Sequence, residues 1–213
     1  MFDFSLEKFI LRIPAIILAL TVHEVSHGFA AYKLGDTTAK YDGRLSFNPL
    51  KHLDPIGFLC LLVADFGWAK PVMVNPYNLR HPKQDMALIS FAGPFSNFLF
   101  AFVVMLIFYP LAATGVANGV VMNYVLSLLI ALFSTNIGLG IFNLLPIPPL
   151  DGSKVFGVFL PEALYYRFTN FRYGFVVLII LIYTGATTGI LMPLLNAMFD
   201  GYFFLMEKIY FFL

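Results

Sequence analysis

The sequence HEVSH, residues His23 to His27, lies inside an apolar segment that extends from about Phe9 to Tyr32. On a helix, two histidines four residues apart lie one above the other, and Glu24 points to nearly the same face. Two imidazoles at this spacing can bind a divalent zinc ion, and the glutamate can take a proton from a metal-bound water. The stretch therefore predicts a metal site on a helix whose flanks are those of a membrane helix.

The composition of the 213-residue chain is that of an integral membrane protein. Hydrophobic residues make up 60% and charged residues 12%, the mean hydropathy is +0.83, and soluble domains carry about 25% charged residues. The net charge of +1 gives no reason to expect a nucleic-acid partner. The single cysteine, Cys60, excludes an intrachain disulfide and a thiolate metal cluster. We expect one membrane-embedded domain over residues 1–213.

The predicted fold class is an all-α polytopic membrane protein with about four to six transmembrane helices, each of about 20 apolar residues. The helix that carries HEVSH is predicted at about 5–34, and further spans at about 86–110, 120–145 and 173–191. The tail at about 193–213 has Asp200, Glu207 and Lys208 on one helical stripe among aromatic residues. That pattern favours an interfacial helix over a crossing one.

Two short stretches between the first two spans have other properties. Residues 56–64 are apolar but too few to cross a bilayer, which favours a re-entrant or interfacial piece. The stretch from Gly67 to Lys83 contains three prolines, which disfavour a helix and favour extended or turn structure. Because irregular backbone at membrane depth must be buried in protein or line a cavity, Gly67 to Tyr77 is predicted to border the active site. An ordinary surface loop is the alternative.

The distribution of Lys and Arg predicts an orientation. These residues occur in 33–51, 70–83 and 154–172 and are absent from 111–119. The positive-inside tendency therefore places the first three stretches in the cytoplasm and HEVSH in the cytoplasmic half of its helix. Lys8 and Arg12 oppose this orientation.

A catalytic zinc usually has three protein ligands, so a third must come from elsewhere in the chain. Asp151 is the best candidate, because it follows the proline-broken end of a span at Asn143, where the chain can fold back toward the first helix. A helix N-cap is the alternative role of Asp151. Zinc would also neutralise Glu24, whose unpaired charge is costly in an apolar helix. The less favoured candidates are Asp42, His52, Asp54 and Asp65.

The motifs together resemble the site-2 protease family, the intramembrane zinc metalloproteases. The resemblance rests on HEVSH, on AGPFSN at 92–97 and on NLLPIPPLDG at 143–152. The stretches GRLSFNPLKHLDPIG and GWAKPVMVNP resemble a compact prokaryotic branch, without the inserted PDZ-like domain or the nucleotide-binding regulatory domain of other members. The resemblance implies that His23, His27 and Asp151 bind one zinc ion, that Glu24 is the catalytic base, and that Asn143 holds the substrate or its oxyanion.

The substrate implied by the resemblance is a transmembrane protein or peptide within the lipid bilayer. Three alternatives remain at this point. One is a catalytically silent membrane protein that binds transmembrane segments, although Glu24 is intact. Another is a metal transporter, although its ionisable residues would be distributed along a path. The third is a purely structural role, with His23, Glu24 and His27 hydrogen-bonded across helices.

Overall fold

The computed structural model describes residues 6–64, 67–113, 119–170 and 173–211. Within these ranges every regular element is helical, apart from one isolated antiparallel bridge between Leu53 and Ala69. Single 3-10 turns lie at Pro49–Lys51 and Pro76–Asn78. The α-helices are α1 (Leu6–Lys33), α2 (Thr38–Tyr41), α3 (Pro55–Ala64), α4 (Pro82–Ala113), α5 (Val120–Asn143), α6 (Asp151–Gly157), α7 (Glu162–Thr169), α8 (Gly174–Tyr183) and α9 (Ala186–Phe211).

Four of the described helices are long and apolar enough to cross a membrane, namely α1 from Phe9 onward, α4, α5 and α9. This architecture confirms the predicted all-α polytopic fold. Helix α3, at 10 residues, extends only about 15 Å at 1.5 Å per residue and is too short to cross. Residues 67–75 are not helical, as the prolines predicted.

Helix α1 ends in a hydrogen-bonded turn that depends on glycine. Gly35 has a φ of 108°, a backbone conformation that a side chain rarely tolerates. Its N–H donates to the carbonyl of Tyr32 (3.2 Å), and the N–H of Asp36 donates to the carbonyl of Ala31 (2.9 Å). This pair of bonds is a Schellman motif, and it reverses the chain so that Asp36 is fully buried.

Helices α1, α4 and α5 pack against one another around the HEVSH residues. The Asn97 amide of α4 donates to the Ala19 carbonyl of α1 (3.1 Å), and His27 of α1 donates to the Ile89 carbonyl of α4 (2.7 Å). Since numbers rise along α1 as they fall along α4, the two helices are antiparallel. Fully buried side chains at the contact of α4, α5 and α9 are Met105, Phe133, Ile137 and Met206.

Helix α9 runs parallel to α4. The hydroxyl of Tyr202 donates to the Phe98 carbonyl (2.8 Å), and that of Tyr210 donates to the Leu106 carbonyl (2.5 Å). Both pairs are 104 residues apart in the sequence, so the two helices advance in the same direction and in one register. Two parallel helices that both cross a bilayer cross it in the same direction.

The structure corrects two predicted boundaries near the C-terminus. The predicted span at 173–191 is not one helix, because α8 ends at Tyr183 and α9 begins at Ala186. Gly185, with a φ of 75°, turns the chain between them. The predicted interfacial tail at 193–213 is the larger part of α9, which has the length and composition of a spanning helix. Hydropathy stays high across the turn, so it could not locate the break.

Helix α4 begins at Pro82, four residues before the predicted start of the span at 86. Proline is tolerated at the first position of a helix, where its missing N–H has no partner to lose. The Asp85 carboxylate accepts the N–H of His81 (2.9 Å) and so stabilises this extra turn. Pro82, one of the three prolines that argue against a helix in this stretch, therefore marks the start of α4.

The directions of the helices predict on which side of the membrane each end lies. If α1 and α4 cross in opposite senses and α9 follows α4, the end of α9 lies opposite the 34–81 segment. In a Cys60→Ser background, single cysteines at exposed Tyr41 and Tyr77 should react with an impermeant thiol reagent from one side of sealed vesicles. A cysteine at exposed Glu207 should react from the other side, and labelling from the same side would contradict this topology.

Candidate metal centre

Three potential ligand atoms converge between α1 and the start of α6. The Nε2 atoms of His23 and His27 are 3.0 Å apart, and the Oδ2 atom of Asp151 lies 3.2 Å from each. Within the described ranges these residues form the one group of three or more His, Cys, Asp or Glu side chains suited to a metal. The structure thus brings together the three residues selected from the sequence.

Asp151 is the first residue of α6, but its side chain does not cap that helix. Leu150 occupies the N-cap position, and no side-chain hydrogen bond caps the helix. The turn before it is tight, because a Cβ added at Gly152 would lie 2.2 Å from the carbonyl oxygen of Leu144. This close approach needs glycine. The turn brings the chain back toward α1, so that the Asp151 carboxylate faces the histidines.

The hydrogen bonds at Nδ1 fix which nitrogen of each histidine carries the proton. His27 Nδ1 lies 2.7 Å from the Ile89 carbonyl, which can only accept, so Nδ1 is the donor. His23 Nδ1 lies 2.7 Å from Asn97 Oδ1. The Asn97 amide nitrogen is bound to the Ala19 carbonyl, so the atom facing His23 is the oxygen and His23 Nδ1 also donates.

These tautomers leave an unprotonated Nε2 on each neutral imidazole. Two nitrogen lone pairs and a carboxylate oxygen then lie within 3.2 Å of one another, an arrangement that repels unless a proton or a metal cation sits among them. Zinc bonds of about 2.0–2.2 Å separate neighbouring tetrahedral ligand atoms by about 3.3–3.5 Å. The observed separations are close to these values, and the deprotonated nitrogen and oxygen set is one that zinc prefers.

Asn97 and Asn136 support the histidines and were not assigned to the site from the sequence. The Asn97 amide nitrogen donates to Asn136 Oδ1 (2.8 Å), while the Asn136 amide nitrogen donates to the Leu132 carbonyl (2.8 Å). Both side chains are fully buried. The signal that could have identified Asn97 was its place in AGPFSN. Asn136 lies in α5 at helical spacing from Gly140 and Asn143, which together form a polar, small-residue stripe. Asn97 and Asn136 together hold the ring of His23 in one orientation.

Glu24 is 9% exposed and contacts the extended segment after α3. Its Oε2 atom accepts the backbone N–H of Val72 (3.0 Å). The Gly67–Tyr77 stretch, predicted to border the site, thus lies against the HEVSH helix.

The remaining candidate residues are not among the three converging ligands. Asn143 is the last residue of α5, and its amide nitrogen donates to the Leu139 carbonyl (3.0 Å). Among the described residues no hydrogen bond joins it to the three ligand atoms, and its role with the substrate stays a prediction. Asp54 caps α3 by accepting two backbone N–H groups, His52 binds the Ser46 carbonyl, and Asp42 is exposed. Asp65 lies outside the described residues.

Replacing Asn97 by alanine should weaken metal binding about 10- to 100-fold, because the His23 ring loses the partner that orients it. Competition with a chromophoric chelator measures this affinity in the purified protein. Asn123→Ala, at an exposed position of α5, is the matched control and should bind as the wild type does. Equal affinity in Asn97→Ala would contradict the supporting role.

Comparisons with known proteins indicate the kind of enzyme that the motifs predicted. The sequence model of Peptidase family M50 matches residues 110–184, a range that includes Asn143 and Asp151. A Bacillus subtilis protein named "Putative zinc metalloprotease YwhC" is 38% identical over 92% of this chain and 90% of its own length. "Putative zinc metalloprotease Rip2" of Mycolicibacterium smegmatis is 30% identical, over 90% of this chain and 74% of its own length. No solved structure matches the chain.

A third relative, "Putative zinc metalloprotease MJ0611" of Methanocaldococcus jannaschii, is 31% identical over 72% of each chain. These relatives bear the same zinc metalloprotease description, and the apolar helices indicate an integral multi-pass membrane protein. The chain therefore belongs to peptidase family M50, the site-2 protease family, and is a zinc metalloendopeptidase.

Proposed function

We propose that this enzyme hydrolyses a peptide bond in or near a transmembrane segment of a membrane-protein substrate. The observation that carries the proposal is the depth of the ligand set. His27 and His23 lie 6 and 10 residues before the end of α1 at Lys33, or about 9 and 15 Å along the helix at 1.5 Å per residue. A peptide bond that reaches these residues must enter the membrane-embedded part of the protein.

His23, His27 and Asp151 would hold the zinc ion. When bound, zinc supplies a Lewis acid that makes water nucleophilic near neutral pH and polarises the scissile carbonyl. Glu24 takes a proton from the attacking water as the new carbon–oxygen bond forms, and it delivers that proton to the leaving amine as the carbon–nitrogen bond breaks. The amide of Asn143 donates a hydrogen bond to the developing oxyanion.

The geometry around Glu24 suits this role. Its Oε2 atom is bound to the Val72 N–H, which leaves Oε1 to exchange the proton. Its side chain is nearly buried, and a water-poor setting strengthens its interactions with the reacting atoms.

The setting of the reaction is a prokaryotic cell membrane, with the active site toward the cytoplasmic side. Residues 1–213 act as one membrane-embedded domain. Because a helix hides its backbone bonds, the substrate must unwind locally before it is cut. Among the described residues the metal-binding side chains form a single cluster and do not line a path, which argues against a metal transporter. The presence of Glu24 argues against a silent binding protein.

The substrate class can be tested with purified protein in liposomes and a model single-span substrate. Mass spectrometry should locate the cut in or beside the hydrophobic segment of that substrate. Removal of zinc by a chelator should abolish cleavage, and added zinc should restore it. A soluble peptide with the polar flanks of the same substrate is the control. Cleavage of the soluble peptide alone would show a protease that does not act on membrane segments.

A further inference from the structure

The extended segment around Val72 lies against α1 beside Gly28, one turn from Glu24. A Cβ added at Gly28, one turn beyond Glu24, would lie 3.4 Å from the Val72 side chain and 3.0 Å from that of Leu45. Val72 is therefore within ordinary contact distance of α1 at Gly28, and the closer neighbour there is Leu45. The hydrogen bond from Val72 to Glu24 joins residues 48 positions apart.

Asp36 holds the same extended segment three residues further on. Its Oδ2 atom accepts the backbone N–H of Asn75 (2.7 Å), and its Oδ1 atom accepts the Asn78 side-chain amide (2.8 Å). The Oδ1 atom also accepts the N–H (3.1 Å) and the hydroxyl (2.6 Å) of Thr38. The side chain is fully buried, so the carboxylate joins the end of α1 to the segment without competition from water.

The charge state of Asp36 agrees with this arrangement. Burial opposes its ionisation, but the hydrogen bonds from Thr38, Asn78 and Asn75 outweigh burial and lower the pKa of Asp36 below its ordinary value. The carboxylate therefore stays ionised near neutral pH, and its hydrogen bonds are of the stronger, charge-assisted kind.

We propose that Asp36 is a positioning residue for Glu24: by holding Asn75 it keeps the Val72 N–H on the Glu24 carboxylate. This inference rests on the proposed role of Glu24 as the base. Two residues, Met73 and Val74, separate the two anchored amides, and Val74 packs with Ala31 and Ile89 on the neighbouring helices. Loss of the bond at Asn75 removes the anchor nearest to Val72 on that side of the segment, and the Val72 N–H is then no longer held on the Glu24 Oε2 atom.

Asp36→Asn is the sharpest test variant. If its amide oxygen keeps the three bonds that Oδ1 accepts, its NH2 group faces the Asn75 N–H, so two donors meet and that one bond is lost. Thr38→Val is the matched control, because it removes a hydroxyl from the same carboxylate and leaves the Asn75 bond intact. Both proteins are compared as full-length, zinc-loaded enzyme in liposomes.

Two readouts distinguish positioning from a purely structural role. In Asp36→Asn, kcat should fall about tenfold with KM and zinc content unchanged, since a misplaced base slows chemistry and not binding. The Val72 amide, followed by NMR in valine-labelled protein, should also exchange with solvent faster than in the wild type. Thr38→Val should match the wild type in both. Unchanged kcat, or a Val72 amide that stays protected while activity falls, would overturn the proposal.

Glu24→Gln separates this proposal from the proposed function. If Glu24→Gln retains activity, the assignment of the base is wrong, and the inference about Asp36 falls with it. If Glu24→Gln is inactive while Asp36→Asn has wild-type kcat, only the positioning role is wrong.

Discussion

Replacing Glu24 by glutamine should reduce cleavage of a membrane substrate by at least about 10²- to 10⁴-fold, the usual contribution of a general base. Glutamine is nearly the same size and retains a side-chain oxygen that can accept the Val72 N–H. The variant should therefore fold and keep its zinc, because His23, His27 and Asp151 are unchanged. Zinc analysis and the initial rate of cleavage, measured on the same preparation, check both expectations.

Glu162→Gln is the control for this substitution, since Glu162 is an exposed glutamate of α7. It removes the same charge away from the site and should leave the rate unchanged. A Glu24→Gln protein that cleaves at the wild-type rate with zinc bound would exclude Glu24 as the base. Loss of zinc together with activity would instead show that Glu24 helps to hold the metal.

Replacing Gly93 by alanine should abolish zinc binding and cleavage together. Gly93 is where α4 approaches the two imidazoles, because a Cβ added there would lie 2.4 Å from His27 Nε2 and 2.7 Å from His23 Cε1. One or both rings must move, and a displacement of about 1 Å at an active site can cost about 10²-fold in rate. Zinc stoichiometry after dialysis and cleavage of the model substrate measure the two effects.

The matched control is Gly138→Ala in α5, where an added Cβ meets nothing within 4 Å. That variant gains helix propensity of about 1 kcal/mol and should bind zinc and cleave as the wild type does. If Gly93→Ala kept both zinc and activity, the close approach of α4 to the histidines would not be needed for the site. Loss of both in Gly138→Ala would point to a general intolerance of the helix bundle.

Structural features that depend only on residues close together in the sequence were predicted well. Helix α1 was expected at about 5–34 and is found at Leu6–Lys33. The helix break after Asn143 followed from prolines that cannot continue a helix. The turn at Gly185 was not found, because glycine also occurs inside helices and the apolar composition on either side is the same. Hydropathy reports burial or membrane contact, and it does not report where the backbone turns.

The functions of individual side chains were harder to predict when they depend on distant residues. Local sequence left Asp151 equally suited to a helix cap and to a metal ligand, and the packing of α6 against α4 decided where it points. Asn97 was part of a quoted motif but had no assigned role, because its partners His23 and Asn136 come from two other helices. The hydrogen bond of Val72 to Glu24 had no local signal at all.

The sequence by itself determined that this is a helical membrane protein with His23, Glu24 and His27 on one part of a helix. Hydropathy and the 3.6-residue helical repeat are local properties, so one stretch of chain is enough to establish them. Only the tertiary structure decided that Asp151 meets both histidines, that Asn97 and Ile89 set their tautomers, and that an extended segment holds Glu24. These contacts join residues far apart in the chain, so only the packing of helices and of the extended segment brings them together.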